Sequence, residues 1–234
     1  MIAIDGPAGA GKSTVARAVA DRLSGFRYLD TGAMYRAVTA YLRRQGMLEG
    51  SGEEMARAAE GLELDGDRYL VHGIDVTGDL RSAEVTAEVS RVSAVPRVRR
   101  VVQARQRLLD GRLVAEGRDI GSVVFPDAQL KVYLDATLDE RAERRHRQFP
   151  QFSVPEYREK IARRDELDST RQDSPLRCPD DAIRIDTTDL SVEQVVMRIT
   201  ALAREAMDRA AAPDDRGGAA GPPHDRKDSH GKRH

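Results

Sequence analysis

The segment Gly6-Pro7-Ala8-Gly9-Ala10-Gly11-Lys12-Ser13 constrains this chain more than any other. It matches G-x-x-x-x-G-K-[ST], follows the apolar run Ile2-Ala3-Ile4 and opens a helical pattern from about Lys12 to Leu23. In that strand–loop–helix setting small residues let the backbone wrap closely around an anion. Successive N–H groups form a nest, and the helix N-terminus adds positive potential. Lys12 is placed to reach the β- and γ-phosphates and Ser13 to set its hydroxyl on Mg²⁺, with Thr14 completing the loop. The direct reading is a nucleoside triphosphate site over Gly6–Thr14, with Mg²⁺ arriving on ATP.

The rest of the chain alternates strand and helix signals. Tyr28-Leu29 leads into a helix carrying Met34, Val38, Tyr41 and Leu42 at helical spacing. Ser51 with Glu54, Thr137 with Glu140 and Ser191 with Gln194 read as helix caps. Leu62, Leu64, Tyr69 and Val71 flank the hairpin signal Asp65-Gly66, and Gly73–Val76 follows with more strand character. Helices are expected over about Ser82–Val92, from Pro96 to Leu109 with Gly111 ending it, and from Pro155 to about Arg164. Leu113–Ala115, Leu130–Leu134 and Ala182–Ile185 read as buried strands. The expected fold class is α/β: a P-loop three-layer fold with a central parallel sheet flanked by helices, plus a small antiparallel element.

Charge and composition remove other classes. Lys and Arg number 38 against 39 acidic residues, a net charge of -1, so no bulk basic field draws the chain to nucleic acid. Only ten aromatics argue the same way, since single-strand binding needs stacking platforms. One cysteine, Cys178, excludes an internal disulfide and a cysteine-built zinc site, and it reads as structural. No signal peptide or membrane span is visible, so a cytoplasmic protein is expected. Arg outnumbers Lys 33 to 5 and Asn and Trp are absent; heat adaptation and a GC-rich coding sequence account for this bias equally well. From Pro213 to His234 there is no Val, Ile, Leu, Met, Phe or Tyr, and that stretch reads as a disordered tail after a domain over 1–212.

A second anion is implied by three arginine-bearing segments: Asp30–Arg36, Glu116–Gly121 just beyond a predicted strand, and Arg163–Arg171. A regulatory GTPase would carry an Asn-Lys-x-Asp base reader, which a chain without Asn lacks. Phosphoryl transfer between two anions needs cations at the reacting centre, so the segments suggest a small-molecule kinase.

In order, Gly6–Thr14, Asp30–Arg36, Ser90, Pro96–Arg99, Gly117–Gly121, Val123–Asp127 and Arg164–Arg171 resemble bacterial cytidylate kinase, a nucleoside monophosphate kinase, from Met1 to about Asp208. The resemblance implies transfer of phosphoryl from ATP to CMP and dCMP, which would be its partners; the sequence itself shows no heptad seam or exposed apolar helix, so a monomer is the default expectation. It implies a monophosphate-binding insert over about 37–110 and a mobile lid over about 149–164. Thr31 and Arg36 would bind the acceptor phosphate, and Ser90, Arg99 and Asp119 would surround the cytosine. Arg118 and Arg171 would hold phosphate charge and join Lys12 in catalysis. Arg164 and Asp168 would reach the ribose. Asp30 would stand near Mg²⁺ and Asp186-Thr187-Thr188 near adenine, while Arg158 and Arg163 are lid residues without an assigned contact. A kinase for UMP or a coenzyme precursor, and a nucleotide-binding regulatory module without transfer, are the competing readings.

Overall fold

Residues 1–211 are described by a computed structural model; the 213–234 tail expected from composition lies outside them. Five short strands run parallel in the spatial order β2 (Arg27–Asp30), β6 (Leu113–Gly117), β1 (Ile2–Asp5), β7 (Leu130–Asp135), β8 (Ile183–Asp186). β1 is central, pairing Ile4 with Glu116 of β6 and with Val132 of β7. All four of its residues are buried, as a strand covered on both faces requires.

Helices α1 (Lys12–Arg22) and α8 (Val192–Ala211) pack on one face, where Ile2, Ile4, Val15, Val19, Val132, Ile185, Val196 and Ile199 form a core. A smaller cluster, Ala3, Leu29, Ala115, Ile120 and Val124, fills the other. Between β2 and β6 the chain builds a separate apolar body. It holds α2 (Thr31–Arg44), α3 (Gly52–Glu60), α4 (Ala83–Ala94), α5 (Pro96–Arg107) and an antiparallel sheet β3 (Leu62–Asp65), β4 (Arg68–Val71), β5 (Ile74–Asp75). The alternating chain, the parallel sheet and the small antiparallel element therefore stand as the sequence predicts.

The expected caps form. Ser51 and Glu54 close a full capping box, Thr137 accepts from the Glu140 N–H, and Ser191 and Gln194 exchange bonds. Two boundaries differ. α5 stops at Arg107, and Gly111 (φ 91°) serves instead in the bend entering β6. After α6 (Leu138–Gln148), α7 runs from Val154 through Thr170, well past Arg164. Its Ser153–Glu156 box starts it, and residues 163–170 of the charge run form its last turns, with Asp168 buried and Arg171 at the C-cap. Among the described residues no helix is long and apolar enough to cross a membrane.

Candidate active site

The C-terminal ends of β1, β2 and β6 open into one cleft of ≈ 2830 Å³. Behind β1 the chain turns so tightly at Gly6 (φ 148°) that a Cβ there would sit 2.0 Å from the Leu134 carbonyl oxygen, so only glycine fits. α1 starts after Gly11 (φ 87°) without a side-chain cap, which leaves its first N–H groups open to an anion. Lys12 is buried with Nζ donating to the Pro7 carbonyl at 2.8 Å. Burial, helped by Arg118, pushes its pKa down to about 7. Ser13 Oγ donates to Glu116 Oε1 at 2.6 Å, and Tyr28 OH donates to the same oxygen at 3.3 Å.

Two contacts hold this loop from outside. Ala8 N–H donates to Asp165 Oδ1 (2.9 Å) on α7, and Arg141 of α6 donates to the Ala8 carbonyl (2.9 Å) while pairing with Asp165. One residue before the loop, Asp5 accepts from the Ile120 and Gly121 N–H groups at 2.8 and 2.7 Å. Burial raises its carboxyl to about 6.

Opposite the P-loop, four arginines share two buried carboxylates. Arg99 of α5 donates to Asp119 Oδ2 at 2.6 Å, and Arg118 Nε donates to Asp168 Oδ2 at 2.9 Å. Arg164 lies 4.0 Å from Asp168, and Arg171 lies 3.6 Å from both Asp119 and Asp168. Arg99 Nε, Arg164 Nε and Arg171 Nη2 are buried without a hydrogen-bond partner. Burial, with Arg118 adding repulsion, pushes Arg164 down to about 10. A site with more cation than anion and with idle donors is arranged to receive an anion.

Of the other expected residues, Arg36 projects from α2 and donates to Thr86 Oγ1 at 3.0 Å and to the Leu80 carbonyl at 3.4 Å. Thr31 lines the cleft but donates its hydroxyl to the Glu116 carbonyl at 2.6 Å. Ser90 lines it from α4, half-buried. Asp30 caps α2 through the Ala33 N–H, and its carboxyl is raised by burial and then by Glu116. Thr187 and Thr188 line the far end, where Arg144 donates to Thr187 Oγ1 and O at 3.0 and 2.6 Å. Arg163 reaches the cleft wall, whereas Arg158 pairs outside it with Asp139 at 2.7 Å. Cys178 is exposed and unpaired.

Sequence reasoning gave no role to Gln103, Arg141, Arg144, Asp165, Ser174, Asp5 or Glu116. Only Gln103 had a local signal: it lies four positions after Arg99, on the same helix face.

The family description "Cytidylate kinase" matches residues 2–205. A cytidylate kinase of Caldanaerobacter subterraneus subsp. tengcongensis is 47% identical over 207 residues, covering 85% of this chain and 92% of that protein. One from Carboxydothermus hydrogenoformans is 45% identical over 210 residues, covering 85% and 94%. A bifunctional pantoate ligase/cytidylate kinase of Synechococcus sp. RCC307 is 48% identical over 219 residues, 88% of this chain, which spans only 43% of that longer protein. The ordered motifs and the parallel sheet agree with these matches, and the chain belongs to the cytidylate kinase family of phosphotransferases.

Proposed function

We propose that the cleft transfers the γ-phosphoryl of ATP to CMP, and to dCMP, giving ADP and CDP or dCDP. The observation that carries this reading is the cluster in which Arg99, Arg118, Arg164 and Arg171 outnumber the carboxylates they share, Asp119 and Asp168 with Asp173 at the edge, opposite a P-loop. The open N–H groups of the Gly6–Thr14 loop receive the donor phosphates. Lys12 gives up its bond to Pro7 and turns to them. Thr31 and Arg36 hold the acceptor phosphate, which Arg118 and Arg171 help to neutralise. Arg164 and Asp168 reach the ribose.

Asp119, with Ser90 and Arg99, reads the base. A carboxylate accepts from the exocyclic amine of cytosine, whereas uracil would turn a carbonyl oxygen toward it, so UMP is the disfavoured acceptor. A CMP phosphate oxygen is ionised near neutral pH and attacks the γ-phosphorus as the bond to the β-phosphate oxygen breaks. No side chain has to remove a proton, so catalysis rests on in-line positioning and charge neutralisation.

The residues at the P-loop edge suit Mg²⁺. Ser13 Oγ and Glu116 Oε1 are hard oxygen donors 2.6 Å apart, and no group of three or more His, Cys, Asp or Glu among the described residues could hold a metal by itself. Ser13 would ligate an ion carried in on ATP, with Glu116 and Asp30 as neighbouring carboxylates. When bound, it spreads the charge of the β- and γ-phosphates. The turn after α6 and the start of α7 form the lid over 149–164 that shuts water out, and residues 37–110 form the monophosphate-binding insert. The enzyme works as a cytoplasmic monomer.

The test is ADP formation from Mg-ATP in a coupled assay, with and without CMP. Turnover that needs CMP and vanishes in Lys12→Ala is expected. ADP release that ignores CMP would overturn the reading.

A further inference from the structure

Asp119 is held by two partners, and only one of them has been given a role. Its Oδ2 accepts from Arg99 Nη2 at 2.6 Å and from Gln103 Nε2 at 3.0 Å. Gln103 lies one helical turn after Arg99 on α5 and is 4% exposed. The amide orientation follows from chemistry, because its oxygen turned toward a carboxylate would set lone pairs against lone pairs. The same Nε2 donates to Ser174 Oγ at 2.9 Å, and that hydroxyl donates onward to Asp173 Oδ1 at 2.5 Å. The Ser174 carbonyl accepts from Arg171 Nε at 2.5 Å. Gln103 thus ties the carboxylate assigned to the base to the loop that anchors Arg171.

Both N–H bonds of the amide are spent inside the protein, so Gln103 has no donor left for a nucleotide. Its effect falls on Asp119. With Oδ2 taken up by Arg99 and Gln103, no hydrogen bond from the described residues reaches Oδ1, and Arg171 Nη2 lies 3.6 Å from it. We infer that Gln103 is a positioning residue for acceptor choice: it fixes the Asp119 carboxylate so that Oδ1 is presented to an exocyclic amine, and so sharpens discrimination between cytosine and uracil nucleotides. This inference rests on the base-reading role proposed for Asp119.

The experiment compares kcat/KM for CMP and UMP, and KM for ATP, in the wild type, Gln103→Leu, Gln103→Met and Asp119→Asn, with thermal unfolding as the check on folding. Gln103→Met keeps the side chain's length and carries the test if Gln103→Leu does not fold. In the Gln103 variants we expect CMP kcat/KM to fall about tenfold, mostly through KM, as loss of a hydrogen bond to a charged group implies. The CMP-to-UMP ratio should shrink by about the same factor while KM for ATP stays within about twofold. Loss of stability alone would leave that ratio untouched. An unchanged ratio in a folded Gln103 variant, beside a collapsed ratio in Asp119→Asn, overturns the inference and leaves the base-reading role intact. An unchanged ratio in Asp119→Asn overturns both.

Discussion

In the proposed reaction the two halves of the cleft would hold their anions by different means. The donor side is one contiguous loop that works through backbone N–H groups and a single lysine. Its geometry is enforced by close approach, with Gly6 against the Leu134 carbonyl and Ala8 gripped by Asp165 and Arg141. The acceptor side is assembled from α2, α4, α5, the end of β6 and α7, and works through side chains whose charges are only partly matched. A backbone nest suits a phosphate chain common to every nucleoside triphosphate. A network of aimed side chains suits a ligand that must be told apart from its relatives. Changes on the donor side should therefore abolish turnover with any acceptor, and changes on the acceptor side should alter which nucleotide is used.

The largest expected effect sharpens that contrast from the donor side. Lys12→Ala removes the one lysine of the loop and should lower kcat on the order of 10³-fold or more with CMP and dCMP alike, measured by ADP release. Asp119→Asn should lower CMP kcat/KM by about 10²-fold, since an uncharged amide accepts more weakly and can present a donor to the cytosine amine. KM for ATP should stay within about twofold of the wild type. Equal losses for ATP and CMP would break the division into two halves.

A smaller effect concerns pH. Lys12 has a folded pKa of about 7 against an ordinary value of 10.5, because burial disfavours its charge. Between those two values the unfolded chain binds the extra proton, so this group's contribution to stability rises with pH across that window. Bound ATP restores charge to the lysine, so binding at pH 8 should take up a proton and KM for ATP should rise as pH climbs above 7. Calorimetry in buffers of different ionisation enthalpy measures the uptake, and its persistence in Lys12→Ala would exclude Lys12 as the source. The smallest effect belongs to neither half. Ser51→Ala breaks an exposed capping box on α3 and should cost about 1 kcal/mol of stability with turnover unchanged.

The same contrast explains what could be read from the sequence. The P-loop was legible because its function is local: neighbouring residues make the nest, and spacing alone identifies it. The parallel sheet was legible because β1, β6 and β7 are short runs of mostly apolar residues set between helical segments. The partners that position the site were not. Asp165 meets Ala8 across 157 residues and Gln103 meets Ser174 across 71, distances that no local pattern encodes. The charge run 163–171 shows the same limit from the other side. Spacing does not say which face of a helix is buried, and here Asp168 and Arg171 turn inward toward Arg118 and Asp119. The polar residues beyond Arg164 carry too little apolar periodicity to extend the predicted helix to Thr170, where α7 ends.

The most direct test of the account is an acceptor panel: ADP production from Mg-ATP against CMP, dCMP, UMP, AMP, GMP and dTMP, each alone. The account predicts strong turnover with CMP and dCMP and little with the others. UMP turnover equal to that of CMP would contradict the reading of Asp119, and silence across the panel would contradict the acceptor site itself.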